Sequence, residues 1–265
     1  MIAMPEKGMP GPEAPPGDDR VFRIAVLASG SGTNLQAIID HLHHPPFKIV
    51  NTDADLASRG HVPEAESPAT TAGADEVRVP RIEIVLVISD VPGARALERA
   101  ERAGIRTALI PVSDFRDREE HDLALVTRLC EAEPDLVVLA GYMRLVSPSL
   151  LKAFPWRVIN LHPALLPAFP GTTSIRDAVR HGVKVTGVTV HYVDVGVDTG
   201  PVIAQVAVRV KDRDTPESLA ARIHAVEHRL LPTVIRLIAA GKVRPPLPGS
   251  RVVQVDWVPD DLGMG

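Results

Sequence analysis

The sequence predicts an α/β protein: a mostly parallel, twisted sheet with helices on both faces. Short apolar runs recur at residues 24–28, 84–88 and 136–140, and such runs mark strands buried on both faces. Between them lie longer stretches with helical spacing, and this alternation builds parallel β-α-β units. After Gly182 the pattern turns β-rich, and a long helix follows.

Residues 1–22 read as a disordered N-terminal extension, because proline, glycine and charge leave little apolar surface to bury. The segment has no apolar centre, so it is not a signal peptide. The folded domain is expected over 23–243. Strand 24–28 leads to a helix over 34–44. Residues 51–80, rich in Asp, Glu, Ala, Ser and Pro, read as a surface insertion. A strand over 84–88 precedes a helix over 94–103 that Gly104 ends. Residues 107–110 give a short strand, and 116–132 a charged amphipathic helix. Strand 136–140 is followed by Gly141, and 158–161 is the next strand. Pro163 has no N–H for a ladder, so that strand stops before it. Residues 185–193 and 202–210 read as paired strands around a loop with Gly196 and Gly200. Thr215 fits an N-cap with Pro216 at the first helical position. Pro232 should bend this last helix and Gly241 end it. Residues 244–265 read as a proline-rich tail. The whole is a Rossmann-like pattern with a C-terminal β-rich segment and long helix.

The bulk numbers exclude some functions. Hydrophobic residues make up 45% and charged residues 23% of the 265, as in ordinary globular proteins. A net charge of −4 argues against nucleic acid or an anionic membrane surface as partner. No apolar run is long enough to span a bilayer. The single cysteine, Cys130, permits no intrachain disulfide and suits a cytoplasmic location; it reads as a small core residue on a helix. His41, His43 and His44 read as an exposed helix end, with too few further ligands for a metal.

Chemistry concentrates at Asn160-Leu161-His162-Pro163. Side chains two apart on a strand share a face, here at a carboxyl end, where open α/β sheets bind ligands. With Asp198 of Asp198-Thr199-Gly200-Pro201, the set supplies an amide, an imidazole and a carboxylate. Asn160 can donate to an oxyanion, His162 can donate and then release a proton, and a carboxylate beside it raises its pKa. Singly, each residue also has a bland reading, as a structural histidine or a turn former. His191, on the strand leading to Asp198, is a candidate for lining the same site. No Gly-x-Ser-x-Gly elbow or His-Glu-x-x-His occurs. The loop Ala28-Ser29-Gly30-Ser31-Gly32-Thr33-Asn34 lies between a strand and a helix start, the arrangement that binds anions. Leu35 stands where a dinucleotide fingerprint wants its third glycine, and the P-loop Gly-Lys-Ser/Thr is missing. The loop is therefore a phosphate site of another kind, or an unliganded turn.

Four motifs now carry a resemblance. They are Val26-Leu27-Ala28-Ser29-Gly30-Ser31-Gly32-Thr33-Asn34-Leu35-Gln36-Ala37-Ile38, Leu139-Ala140-Gly141-Tyr142-Met143-Arg144-Leu145-Val146-Ser147-Pro148, Asn160-Leu161-His162-Pro163-Ala164-Leu165-Leu166-Pro167 and Val197-Asp198-Thr199-Gly200-Pro201-Val202-Ile203. In this order and spacing, over most of 23–243, the chain resembles the glycinamide ribonucleotide formyltransferases, folate-dependent enzymes of purine biosynthesis. The resemblance implies formyl transfer from 10-formyltetrahydrofolate, as co-substrate, to the amine of 5-phosphoribosylglycinamide, without an acyl-enzyme or a metal. It assigns Gly32, Thr33 and Asn34 to the ribose phosphate and Glu227 to the same substrate. It assigns Met143, Arg144, Leu145 and Val146 to the pterin pocket, with Arg118 and Asn160 as further folate contacts. Asn160, His162 and Asp198 match the catalytic trio, with His162 as general acid and Asp198 raising its pKa. Both partners are small molecules, with no nucleic acid or membrane, and a homodimer is left open. One departure stands out: Pro170-Gly171 is followed by Thr172-Thr173, where the family often has histidine at the second position. Related activities fit less well. A methionyl-tRNA formyltransferase needs a basic C-terminal domain, a formyltetrahydrofolate hydrolase an N-terminal regulatory one, and the glycine loop speaks against a sugar-nucleotide formyltransferase. The intact trio argues against a binding protein without activity.

Overall fold

The computed structural model describes residues 20–43 and 80–256. The expected N-terminal extension up to residue 19, the insertion up to residue 79, His44 and the end of the tail from 257 lie outside the described residues. Seven strands form one sheet: β1 (Phe22–Leu27), β2 (Ile82–Ser89), β3 (Thr107–Leu109), β4 (Leu136–Leu139), β5 (Val158–His162), β6 (Val185–Tyr192) and β7 (Val202–Arg209). Their order is β3-β2-β1-β4-β5-β6-β7. The first five are parallel, while β6 runs antiparallel to β5 and β7 to β6. Strand order reverses between β1 and β4, the switch point where open sheets leave a crevice at their carboxyl ends.

The apolar runs are strands because both faces are covered. Ile24, Val26 and Ala28 pack with α1 (Thr33–Leu42), α2 (Arg95–Arg102) and α6 (Pro216–Ala239). Ala25 and Leu27, pointing the other way, pack with α3 (Arg118–Ala132) and α4 (Pro148–Ala153). In β2 the alternation slips once, since Ile24 pairs with Ile84 but Ala25 with Leu86. The extra residue is a bulge, and it reverses which parity faces which helices.

Helix ends follow local chemistry. Asp117 caps α3 by accepting from the Glu120 N–H at 2.9 Å. Glu133 ends α3 in the left-handed region, φ 46°, directly before Pro134, which disfavours a helical residue ahead of it. Thr215 and Ser218 form a reciprocal capping box at the start of α6. That helix continues through Pro232 to Ala239.

Three expectations are corrected. Cys130 is exposed, because Leu125, Leu129 and Ala132 occupy the buried stripe of α3 and residue 130 falls off it. His43 is not a bare helix end: it is half-buried, and its Nδ1 accepts from the Ile84 N–H at 3.3 Å. Residues 244–256 are not a free tail. Strand β8 (Val243–Arg244) pairs antiparallel with β9 (Gln254–Val255), and Val253 and Val255 pack against the main core. Helices α4 and α5 (Ser174–Arg180), absent from the sequence reading, have six and seven residues, too few to show a helical period.

Candidate active site

Strand β5 carries the first two site residues. Ile159 and Leu161 turn into one core layer, so Asn160 and His162 share the opposite face. The antiparallel register sets Asn160 against His191 of β6, and directly opposed residues meet on one face. The tip of the β6–β7 connection then brings Asp198 back onto both.

The contacts are short and mutually consistent. His162 Nδ1 lies 3.3 Å from Asp198 Oδ2, and its Nε2 is 2.8 Å from the Phe169 carbonyl. A carbonyl only accepts, so Nε2 carries a hydrogen. The Gly171 N–H donates to Asp198 Oδ2 at 2.7 Å. Asn160 Nδ2 donates to Asp198 Oδ1 at 3.2 Å and meets His191 Nε2 at 3.1 Å. His191 Nδ1 faces the Tyr192 carbonyl at 2.8 Å, so Nδ1 holds the ring hydrogen and Nε2 accepts from Asn160. Both amide hydrogens of Asn160 are therefore taken, and its Oδ1 has the spare capacity. The expected donation from Asn160 to an oxyanion would require one of these contacts to open, while Oδ1 already offers an acceptor.

Asp198 raises the His162 pKa, as expected, but does not set the direction of the net shift. Burial pushes the His162 pKa down, while Asp198, the Phe169 carbonyl and Glu227 push it up; burial prevails and the net shift is downward. Asp198 does favour the imidazolium, but it offsets the cost of burial only in part. Burial pushes the Asp198 carboxyl up, yet His191, the Gly171 N–H and His162 outweigh it and hold the carboxyl below its ordinary value. Asp198 itself has φ 52°, a conformation that aspartate tolerates better than most residues. Gly200 permits the sharp return: a Cβ there would lie 1.7 Å from the Tyr192 carbonyl oxygen.

The glycine loop forms the neighbouring subsite. Gly32 precedes α1 with φ 68°, and a Cβ on it would stand 2.7 Å from Ala96 Cα of α2, so conformation and space both call for glycine. No side chain caps α1, so its first N–H groups at Thr33 and Asn34 are free for an anion. Asn34 Nδ2 donates to Glu227 Oε2 at 3.0 Å. Its Oδ1 is buried with no hydrogen-bond partner among the described residues. Glu227, 3% exposed on α6, also meets His224 Nδ1 at 2.8 Å, and this contact raises the His224 pKa.

The segment after β4 makes a third wall. Met143 and Leu145 are 64% and 51% exposed, Arg144 is exposed, and Val146 is buried. Arg118, at the start of α3, donates from Nη2 to the Leu145 carbonyl at 2.9 Å and reaches Val146 O at 3.4 Å. It braces this segment through its backbone. Ser29 ties the segment to the glycine loop: its Oγ donates to Asp90 Oδ1 at 2.6 Å and accepts from the Met143 N–H at 3.1 Å.

All the residues singled out in the sequence thus fall in three adjoining clusters. The reading missed His224, Ser29 with Asp90, and the backbone groups of Phe169 and Gly171. His224 was detectable three residues before Glu227 on one helix face, and Asp90 at the carboxyl end of β2. The Phe169 and Gly171 contacts left no sequence signal, because backbone groups have no residue signature.

The chain is similar to known proteins over most of its length. Residues 65–235 match the family model described as formyl transferase. The chain is 38% identical over 214 residues to the phosphoribosylglycinamide formyltransferase of Bacillus subtilis (strain 168), covering 81% of this chain and 93% of that protein. It is 36% identical over 222 residues to the trifunctional purine biosynthetic protein adenosine-3 of Homo sapiens, covering 84% of this chain and 19% of that protein. Among solved structures, glycinamide ribonucleotide transformylase 1 from Symbiobacterium toebii superposes with a TM-score of 0.71 at 44% identity, covering 89% of this chain and 94% of that one.

Proposed function

The chain belongs to the formyl transferase family, and on that footing we propose direct formyl transfer without an acyl-enzyme. The protein is an enzyme of purine biosynthesis that moves a formyl group onto phosphoribosylglycinamide, with a formyl folate as co-substrate. In our reading the donor is 10-formyltetrahydrofolate, its pterin end lying against Met143, Arg144, Leu145 and Val146. The acceptor's phosphate sits at the free N–H groups of Gly32, Thr33 and Asn34. Glu227 and the open Asn34 Oδ1 take substrate hydrogens nearby.

The observation that carries this reading is the contact of His162, Asp198 and Asn160 beside that uncapped helix. The substrate amine attacks the formyl carbon, and the carbonyl oxygen gains negative charge. The imidazolium form of His162, its charge supported by Asp198 at Nδ1, swings its Nε2–H hydrogen bond from the Phe169 carbonyl to that oxygen and stabilises the negative charge there. Asn160 Oδ1 accepts from the attacking N–H. Collapse breaks the bond between carbon and the folate nitrogen, which leaves with a proton while the amine loses one. Both ring nitrogens of His162 face other partners, so neither activates a serine or cysteine, which argues for direct transfer. Most of the rate comes from holding two substrates together and from preorganised charge.

Mixing the purified protein with phosphoribosylglycinamide and 10-formyltetrahydrofolate tests the reading. Stoichiometric release of tetrahydrofolate and formylated product is expected. No tetrahydrofolate release with both substrates saturating would exclude it.

A further inference from the structure

We infer that the C-terminal ribbon positions the loop that carries Asp198, with Arg251 as the contact. Arg251 Nη2 donates to the carbonyl oxygen of Thr199, the residue directly after Asp198. The inference deepens the proposed reaction and rests on Asp198 facing His162 during it.

The loop from Val193 to Pro201 is pinned at its base, where the Val193 N–H donates to the Val158 carbonyl and the Tyr192 N–H to the Pro201 carbonyl, both at 2.9 Å. Asp194 braces it internally, with its Oδ1 accepting from the Gly196 N–H at 3.1 Å and Thr199 Oγ1 at 2.6 Å. At the tip two kinds of tie come from other segments: Asn160, His162 and the Gly171 N–H on the Asp198 side chain, and Arg251 on the Thr199 backbone. The second is the one that acts on the main chain. Asp198 holds φ 52°, and a tie on the next carbonyl resists relaxation of that strained residue.

The ribbon is itself anchored. Strands β8 and β9 pair, the Asp256 N–H donates to the Lys242 carbonyl at 2.9 Å, Arg244 pairs with Asp256, and Val253 and Val255 rest on the core. It also continues directly from α6, which holds Glu227 against Asn34. One stretch of chain therefore runs from the acceptor subsite to the catalytic loop. An exposed hydrogen bond adds little stability, but a small displacement of the carboxylate from His162 has leverage on rate. Arg251 is a positioning residue in this account.

The test uses the full chain with Arg251→Ala, Arg251→Lys and, as reference, Asp198→Asn. For Arg251→Ala we expect kcat to fall roughly five- to tenfold, with both KM values within about twofold and the melting temperature unchanged. The basic limb of its pH profile should move to lower pH, as in Asp198→Asn, because the carboxylate draws away from His162. Arg251→Lys keeps a donor and should recover most of kcat. Wild-type kcat and pH profile in Arg251→Ala, with kcat lowered and the basic limb shifted in Asp198→Asn, would overturn the inference alone. So would a lowered melting temperature with unchanged kcat, since that is a structural role only. Full activity in Asp198→Asn would overturn the reading of Asp198 and the inference together.

Discussion

At the scale of the residue, His162 is a balance of burial against charge. It lies between Asp198 and the Phe169 carbonyl, two acceptors that favour a doubly protonated ring, in a site dry enough to oppose it. Substrates that bring a developing oxyanion tip that balance toward proton donation. Replacing His162 with Ala should lower kcat by roughly 10²- to 10⁴-fold, with KM nearly unchanged in steady-state kinetics. A defect mainly in KM would contradict a general-acid role. Asp198→Asn removes a contribution that raises the His162 pKa, so that pKa falls further. The basic limb of the kcat–pH profile should then move to lower pH, and kcat should drop at neutral pH. Asn160, His162 and Asp198 were readable as a trio from residue type and spacing. That Asn160 spends both hydrogens inward was not, because it depends on His191 lying across the strand pair.

At the scale of the element, the strands were the most legible part of the chain. A strand buried on both faces must be apolar throughout, and 24–28 and 136–140 leave no other reading. Boundaries moved by a residue or two, and the two shortest α-helices were missed because neither completes two turns. The cap at Thr215 was legible, while the side-chain caps at Asp117 and Ser147 went unread. Thr215→Ala should cost about 1 kcal/mol of stability, measured by denaturant unfolding, with activity kept. Gly32→Ala is different in kind. It strains the left-handed φ by about 1–2 kcal/mol and drives a methyl into Ala96. Lower stability and a raised KM for the phosphorylated substrate should appear together, whereas a raised KM for folate alone would argue against a phosphate role for this loop.

At the scale of the whole molecule, folding stability should depend on pH through histidines of opposite sign, His162 and, in the same direction, His228 on one side and His224 on the other. His162 has a folded pKa below its ordinary 6.5, so the unfolded chain binds its proton more readily. Its contribution is complete above about 6.5 and is lost as pH falls toward the folded value. His224 has a folded pKa raised above 6.5 by Glu227; its contribution is complete below 6.5 and is lost as pH rises through the folded value. Melting temperatures across pH 5 to 8 check both, with His162→Gln flattening the acid side and His224→Gln the neutral side. The sequence by itself determined the mostly parallel sheet, the glycine turn between β1 and α1 and the identity of the chemical groups, because periodicity, turn chemistry and residue type are local properties. Only the tertiary structure decided that Asp198 reaches His162, that Arg118 braces a wall, and that the C-terminal ribbon returns to the catalytic loop. Those contacts join segments far apart in the chain, and the register of β5 with β6 and the packing of α6 on α1 set their distances.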